Sequence, residues 1–437
     1  MRFIKSTAIT VISNGLIFLI SMLSAVVLSR LLGPSGRGVV DVANNFLSFA
    51  ILIFGWGLSL ANVYIVGRER EKISEVLGNN LLLTIPTLLL MIPFYFLNEH
   101  FQFQFLRGIS SAQFILVLLS IPAMNFKQGM LNIVLGLQDM AEYNRINVLD
   151  RLTGLFLLAF FLWVKPNPTA AILSTLIAAL SIGFWAVYRI RSRYAAKFKV
   201  DFRVIKDLLS YGVQSIIGNT IQKLNYRLDI FIVNYYLPLT AVGVYGVAVT
   251  LAETLWGLSG SIATVILPRA AASGESREMH EFTNRVTRIS LTIITTISLC
   301  LALVSKPLIY LMFGADFLAA VSALLWLLPG VAIFSVSNIL ANYLAGAGQL
   351  IKNTYSAIVS SVVTITLDLL LIPMLGINGA SIATSISYTC FTLMTLFFYT
   401  RFTQSRWQDV LLLKKGDIEL IRGVIGKGLQ GLNNKRR

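Results

Sequence analysis

Long apolar runs separated by short polar turns recur along the whole chain. Residues 7–29, 40–66, 79–97, 112–135, 147–164 and 169–189 form one set of six, and residues 208–235, 243–267, 286–305, 318–344, 354–374 and 378–400 form a second. About 20 consecutive apolar residues cross a bilayer as a helix, so the pattern predicts about twelve transmembrane helices. The runs are continuous and do not alternate with a period of two, which favours helices over a β-barrel. Pro86, Pro93, Pro122 and Pro329 fall inside runs. Membrane helices tolerate this because neighbouring groups re-satisfy the freed carbonyl. The first run follows MRFIK and passes 20 residues without a small-residue cleavage site, so it reads as a retained helix and not as a leader.

The longest polar break before the tail, RIRSRYAAKFKVDFRVIKD at 189–207, divides the two sets. The expected organisation is an N-terminal six-helix lobe at 1–190, a basic linker at 191–207, a C-terminal six-helix lobe at 208–400 and a basic tail at 401–437. In the tail, Ile418, Ile421, Ile425, Leu429 and Leu432 recur at helical spacing among lysines and arginines, which predicts an amphipathic helix on the inner leaflet. With the N-terminus cytoplasmic, the cytoplasmic segments carry 27 Lys and Arg and the outer loops 5. The positive-inside rule therefore places both termini in the cytoplasm of a multi-pass plasma-membrane protein.

An even number of crossings per set gives both lobes the same orientation, as in parallel repeats flanking a cavity. Displacing the chain by 205 residues sets Asn14 on Asn219, Gly33 on Pro238, Gly38 on Gly243 and Ala43 on Ala248. Pro122 and Pro329 each lie in a run that ends in a small polar turn, GLQDMAEYN and GAGQLIKN. Order and spacing carry this internal likeness more than identity does.

Composition narrows the class. Of 437 residues, 56% are hydrophobic and 13% charged, against about 25% charged in soluble domains. The net charge of +16 is accounted for by loop cations that set topology and meet anionic lipid, so nucleic acid is not an expected partner. Cys300 and Cys390 lie in apolar runs and read as buried small hydrophobes. His100 and His280 are the two histidines, and MHEFT is not a zinc motif. No GxxxxGK[ST] or GxSxG occurs. No enzyme activity, cofactor or metal is expected, and transport would follow a secondary mechanism.

The stretches RLLGPSGRGVVDVANNF, NYRLDIFIVNYYLPLTAVGVYGVA followed by LPRAAA, LMFGADFLAA and LGINGASIATSISY resemble the polysaccharide-biosynthesis flippases of the multidrug/oligosaccharidyl-lipid/polysaccharide exporter superfamily. The likeness runs from about residue 5 to 400. It implies an all-α fold of two six-helix lobes around a central cavity, as in the multidrug (MATE-type) exporters of that superfamily. It also implies export of a lipid-linked oligosaccharide, usually on undecaprenyl diphosphate, with membrane lipids and other polysaccharide-assembly proteins as candidate partners. The related lipid II flippases commonly have fourteen spans, and about twelve here point away from that branch. A cation-coupled multidrug antiporter is the alternative, but its cavity should be acidic.

Charges at membrane depth are costly and usually line a water-filled path. In the seventh run, Asn219, Lys223 and Arg227 are spaced by four and share a helical face. Asp229 lies on the adjoining face. The repeat partners of Lys223 and Arg227 in the first lobe are the apolar Phe18 and Met22, but that lobe offers Arg30, at the head of RLLGPSGRGVVDV, and Lys127, in NFKQGM. Arg30, Lys127, Lys223 and Arg227 are therefore the candidate substrate-binding residues, because a diphosphate needs cationic donors where water is scarce. Asn14, Asn44, Asn45, Asn219, Asp229 and Glu253 are the candidate polar support. Arg37 is expected in bulk water, and Asp150 with Arg151 at the membrane interface.

Overall fold

The computed structural model describes residues 2–273, 276–417 and 419, with side chains described for all of these except 2–11, 213–226, 261, 262, 264, 265, 268, 272 and 273. Thirteen α-helices follow in order: α1 (Arg2–Phe54), α2 (Leu58–Arg68), α3 (Ile73–Phe101), α4 (Ser111–Gly136), α5 (Met140–Val164), α6 (Pro168–Tyr194), α7 (Phe202–Tyr236), α8 (Leu239–Ser273), α9 (Arg277–Met312), α10 (Ala320–Gly346), α11 (Leu350–Leu375), α12 (Ile377–Thr403) and α13 (Trp407–Leu411). No strand occurs among the described residues. Ten helical stretches among them are long and apolar enough to cross a membrane. That count takes α1 as one stretch. The tail residues 418 and 420–437 lie outside the described residues, so the amphipathic helix expected there is not described.

Local chemistry fixes the helix ends. Gly33 has φ 65° and ψ −178°, which breaks α1 into two arms. Glycine adopts that left-handed φ without a Cβ penalty, and Pro34 after it disfavours helical geometry at the preceding residue. Ser110 and Gln113 form a reciprocal capping box at the start of α4. Asn167 caps α6, with Pro168 at its first position.

The described chain falls into two compact units, residues 1–247 with 310–317, and residues 248–309 with 318–437. In the first, Leu77, Met130, Ile133, Ile146, Ile190 and Leu208 belong to one buried apolar cluster joining α3 to α7. The second arm of α1 and the start of α8 cross in this unit at Gly38 and Gly243. A Cβ on Gly38 would overlap the Leu239 carbonyl oxygen, and one on Gly243 would overlap that of Pro34. Gly38 and Gly243, and likewise Pro34 and Leu239, are 205 residues apart, so the crossing is reciprocal. In the second unit, Tyr399 donates to Asn284 Oδ1 at 2.8 Å and meets Tyr343 edge-on, centroids 5.1 Å apart.

In each unit a polar segment that follows a long helix, α6 in the first and α12 in the second, folds back onto an earlier helix. After α6, the Asp201 N–H donates to Asn79 Oδ1 at 3.1 Å and Asn79 Nδ2 donates to the Asp201 carbonyl at 2.9 Å. After α12, Arg288 grips the Asp417 carboxylate at 2.6 and 3.2 Å. Both side chains are buried, and Arg288 also donates to the Asp409 carbonyl. The Arg288 hydrogen bonds hold the Asp417 carboxyl below its ordinary pKa, against the opposing effect of burial. A depressed carboxyl stabilises the fold above its unfolded pKa, and that contribution is lost as pH falls through the folded value. Asp417→Asn should cost about 1.5–3 kcal/mol at neutral pH, the range for hydrogen bonds to charged groups. In thermal unfolding, the gap from wild type should close on acidification below about pH 4. A gap that does not vary with pH contradicts this account.

The outward surface is apolar: Leu303 is 84% exposed and Trp163 81%. Soluble monomers rarely expose broad apolar surface, whereas lipid accommodates it. Cys300 is exposed and Cys390 half-buried, and neither is in a disulfide. The expected burial of Cys300 does not hold, because its position on α9 faces away from the helix's packed side.

Candidate substrate-binding site

The first unit contains a charged network built on α1, α7 and α8. Arg37 stands one turn beyond the Gly33–Pro34 break and is 2% exposed. Its Nε donates to Asp41 Oδ2 at 3.2 Å. One terminal nitrogen donates to the Ala25 carbonyl at 3.2 Å and to the Ser29 hydroxyl, and the other to the Gly246 carbonyl at 3.2 Å. The Phe313 ring lies 5.8 Å from the guanidinium carbon. One fork of donors thus ties both arms of α1 to α8. Gly246 has no Cβ, and one placed there would overlap the Asp41 carboxylate.

Arg37 was expected in water, and the structure corrects this. A charge beside a Gly-Pro turn reads as a loop cation, but Asp41 and three oxygen acceptors from the first arm of α1 and from α8 compensate its burial. Arg37 and Asp41 are spaced by four with opposite signs. That signal was present in the sequence, because such residues share a helix face.

Asp229 adjoins this network. It is 6% exposed and accepts from Tyr245 Oη at 2.5 Å and from the Ile230 N–H at 2.8 Å. Arg227 is half-buried, and its guanidinium acts through space on both Asp41 and Asp229. It lies nine residues before the end of α7, about 14 Å along the axis at 1.5 Å per residue. The structure therefore gathers Arg37, Asp41, Arg227, Asp229 and Tyr245, a set with as many carboxylates as guanidinium groups. Sequence reasoning had singled out Arg227 and Asp229 from this set and missed the other three.

The remaining candidates lie elsewhere. Arg30 is exposed and donates to the last carbonyls of α9, with Nε to Met312 at 3.0 Å and a terminal nitrogen to Tyr310 at 3.2 Å and to Leu311. A guanidinium there adds donors to carbonyls at the end of the helix and opposes the negative helix end. Lys127 is buried in α4, and its ammonium is 2.9 Å from both carboxylate oxygens of Asp150 on α5. Asp150, expected at the interface, is instead the partner of a buried cation, a pairing across 23 residues with no signature in the sequence. Asn45 is buried and donates to the Asp41 carbonyl at 2.7 Å. Asn14 and Asn44 are exposed, and Glu253 is half-buried in the second unit. The side chains of Asn219 and Lys223 lie outside the described residues.

The Lys127–Asp150 pair yields a test. Lys127→Met alone strands a carboxylate and should cost about 1–3 kcal/mol. Lys127→Met with Asp150→Leu removes both charges and should cost less than the single change. Wild-type translocation by the double variant would assign Lys127 to packing, and lost translocation in a stable double variant would return it to the substrate path.

Comparison with known proteins adds family to geometry. A family model described as polysaccharide biosynthesis protein matches residues 3–274, and one described as lipid II flippase MurJ matches residues 153–423. The second match means that the span count does not separate the chain from the lipid II branch. The chain is 26% identical over 253 residues to the uncharacterized membrane protein MJ1068 of Methanocaldococcus jannaschii, covering 55% of this chain and 50% of that protein. It therefore spans about half the length of that relative. It is 23% identical over 389 residues to the probable low-salt glycan biosynthesis flippase Agl15 of Haloferax volcanii, covering 87% of this chain and 80% of that one. Among solved structures, the inward closed lipid II flippase MurJ superposes with TM-score 0.76 at 18% identity, covering 89% of this chain and 87% of that one. An inward-facing multidrug resistance MATE family transporter gives 0.72 at 14% identity, covering 90% and 98%. These likenesses show a polytopic fold of the MOP superfamily.

Proposed function

Given that the chain belongs to the polysaccharide biosynthesis protein family, as a polysaccharide flippase of the MOP superfamily, we propose that it carries a lipid-linked oligosaccharide from the inner to the outer leaflet for surface polysaccharide assembly. The observation that carries this reading on the site is Arg227. It is a half-buried guanidinium nine residues inside α7, which in this reading crosses the membrane, where an uncompensated charge is costly and cations serve to receive anionic cargo. The charges of Asp41 and Asp229 oppose its own before the cargo arrives. A diphosphate, carrying more negative charge than one carboxylate, competes with them for the same donors.

In this reading the lipid carrier is undecaprenyl diphosphate, transport proceeds by alternating access, and both termini face the cytoplasm. The membrane potential favours outward movement of an anion by about 2.3 kcal/mol per charge per 100 mV, so no ATP-binding element is required. The glycan flippase Agl15, similar over most of this chain, supports the cargo class.

Disruption in the native host tests the proposal. Lipid-linked oligosaccharide should accumulate on the inner leaflet, with drug susceptibility unchanged. Normal lipid-linked glycans together with drug sensitivity would instead favour a cation-coupled multidrug antiporter, whose fold the chain also shares.

A further inference from the structure

The turn between α3 and α4 lines a crevice of about 350 Å³ that includes none of the charged residues described above. Ligand pockets run from about 300 to 1,000 Å³, so this one suits a small ligand. Its lining includes Asn98, Glu99, Gln102, Phe103, Gln104 and Arg107. Asn98 Oδ1 is buried and has no hydrogen-bond partner. The side-chain amides of Gln102 and Gln104 are exposed and make no hydrogen bond among the described residues. One carboxylate and one guanidinium leave the lining without net charge.

The crevice is braced. Asn234 Nδ2 donates to the carbonyls of Phe105 and Arg107 at 3.0 and 3.2 Å. Arg107 donates to the Leu237 carbonyl at 3.1 Å, which draws its charge away from any ligand. Ser111 Oγ donates to Glu99 Oε1 at 2.9 Å. Phe103 stacks on Phe101 and Phe105, with centroids 6.1 and 5.3 Å away. The backbone of the crevice is thus held before binding, and ordering is confined to the Gln102 and Gln104 side chains.

We propose that this crevice binds a neutral saccharide, one or two rings of the glycan the protein exports. A primary amide offers two donors and an acceptor, and a sugar hydroxyl is both donor and acceptor, so free amides pair with vicinal hydroxyls in either sense. The negative face of an aromatic ring such as Phe103 suits the polarised C–H face of a sugar. A phosphate would need a surplus of cationic donors, and the lining has none. The turn joins an odd-numbered crossing to an even one, which is the outer side in the orientation proposed above. The crevice would then receive the glycan as it emerges. The assignment of the ligand rests on the flippase reading, but the binding chemistry does not.

The test uses the full-length protein in lipid nanodiscs and hydrogen–deuterium exchange, with chitobiose, maltose and inorganic phosphate as separate probes. At least one disaccharide should slow exchange several-fold within residues 98–111, and phosphate should not. The double variant Gln102→Ala, Gln104→Ala should lose that protection with its unfolding midpoint unchanged, because neither exposed amide is hydrogen-bonded among the described residues. Protection by neither disaccharide, protection by phosphate alone, or full protection in the double variant each overturns the proposal. Glycan accumulation in the disrupted host with no protection at the crevice would leave the flippase reading standing and remove this one. Normal glycans with a protected crevice would do the reverse.

Discussion

Arg37→Leu should lower the stability of the first unit by about 3–5 kcal/mol, the cost of stranding one member of a buried ion pair. The variant leaves Asp41 with its partner gone, and it strips donors from the Ala25 carbonyl, the Ser29 hydroxyl and the Gly246 carbonyl. Those acceptors sit on the first arm of α1 and on α8, so the change loosens the crossing of α1 with α8 as well as one contact. Arg37→Lys should recover part of the loss, because an ammonium keeps the charge but cannot reach four acceptors as a planar fork does. Thermal unfolding of purified protein in detergent is the measurement. An Arg37→Leu midpoint equal to wild type would show that the network contributes nothing, and full recovery by lysine would show that charge alone matters.

The helices were legible because hydrocarbon imposes a length. Each apolar run from residue 79 to 400 became one described helix, with its ends displaced by up to nine residues, as where the run 286–305 became α9. The first two runs became the two arms of α1 with α2, and Gly33 marked the break. The network was not legible, for a physical reason. A cation near a turn can reach water, lipid head groups or a buried acceptor, and one sequence does not choose among these. Arg37 and Gly246 are 209 residues apart, and only their approach decides that Arg37 is buried. The same holds for Lys127 and Asp150, whose pairing depends on α4 and α5 lying side by side. Arg30 shows the converse. Its charge was noticed, but its acceptors are main-chain carbonyls, which no side-chain pattern reveals.

This distinction decides how Arg227 must be tested. Arg227→Gln should reduce translocation of lipid-linked oligosaccharide at least tenfold, equivalent to about 1.4 kcal/mol of lost stabilisation of the transported anion. Glutamine retains the stem and two donors but removes the charge. If Arg227 serves the fold by neutralising Asp41 and Asp229, the unfolding midpoint should fall along with transport. If it receives cargo, transport should fall while the midpoint moves by less than the shift caused by Arg37→Leu. The half-burial of Arg227 against the near-complete burial of Arg37 favours the second outcome, since a group that water can reach costs less to remove. Arg227→Lys separates the donors from the charge: a diphosphate held by two parallel hydrogen bonds loses affinity with lysine, whereas one held by field alone does not. Wild-type translocation by Arg227→Gln, in a protein with an unshifted midpoint, would take Arg227 out of the substrate path.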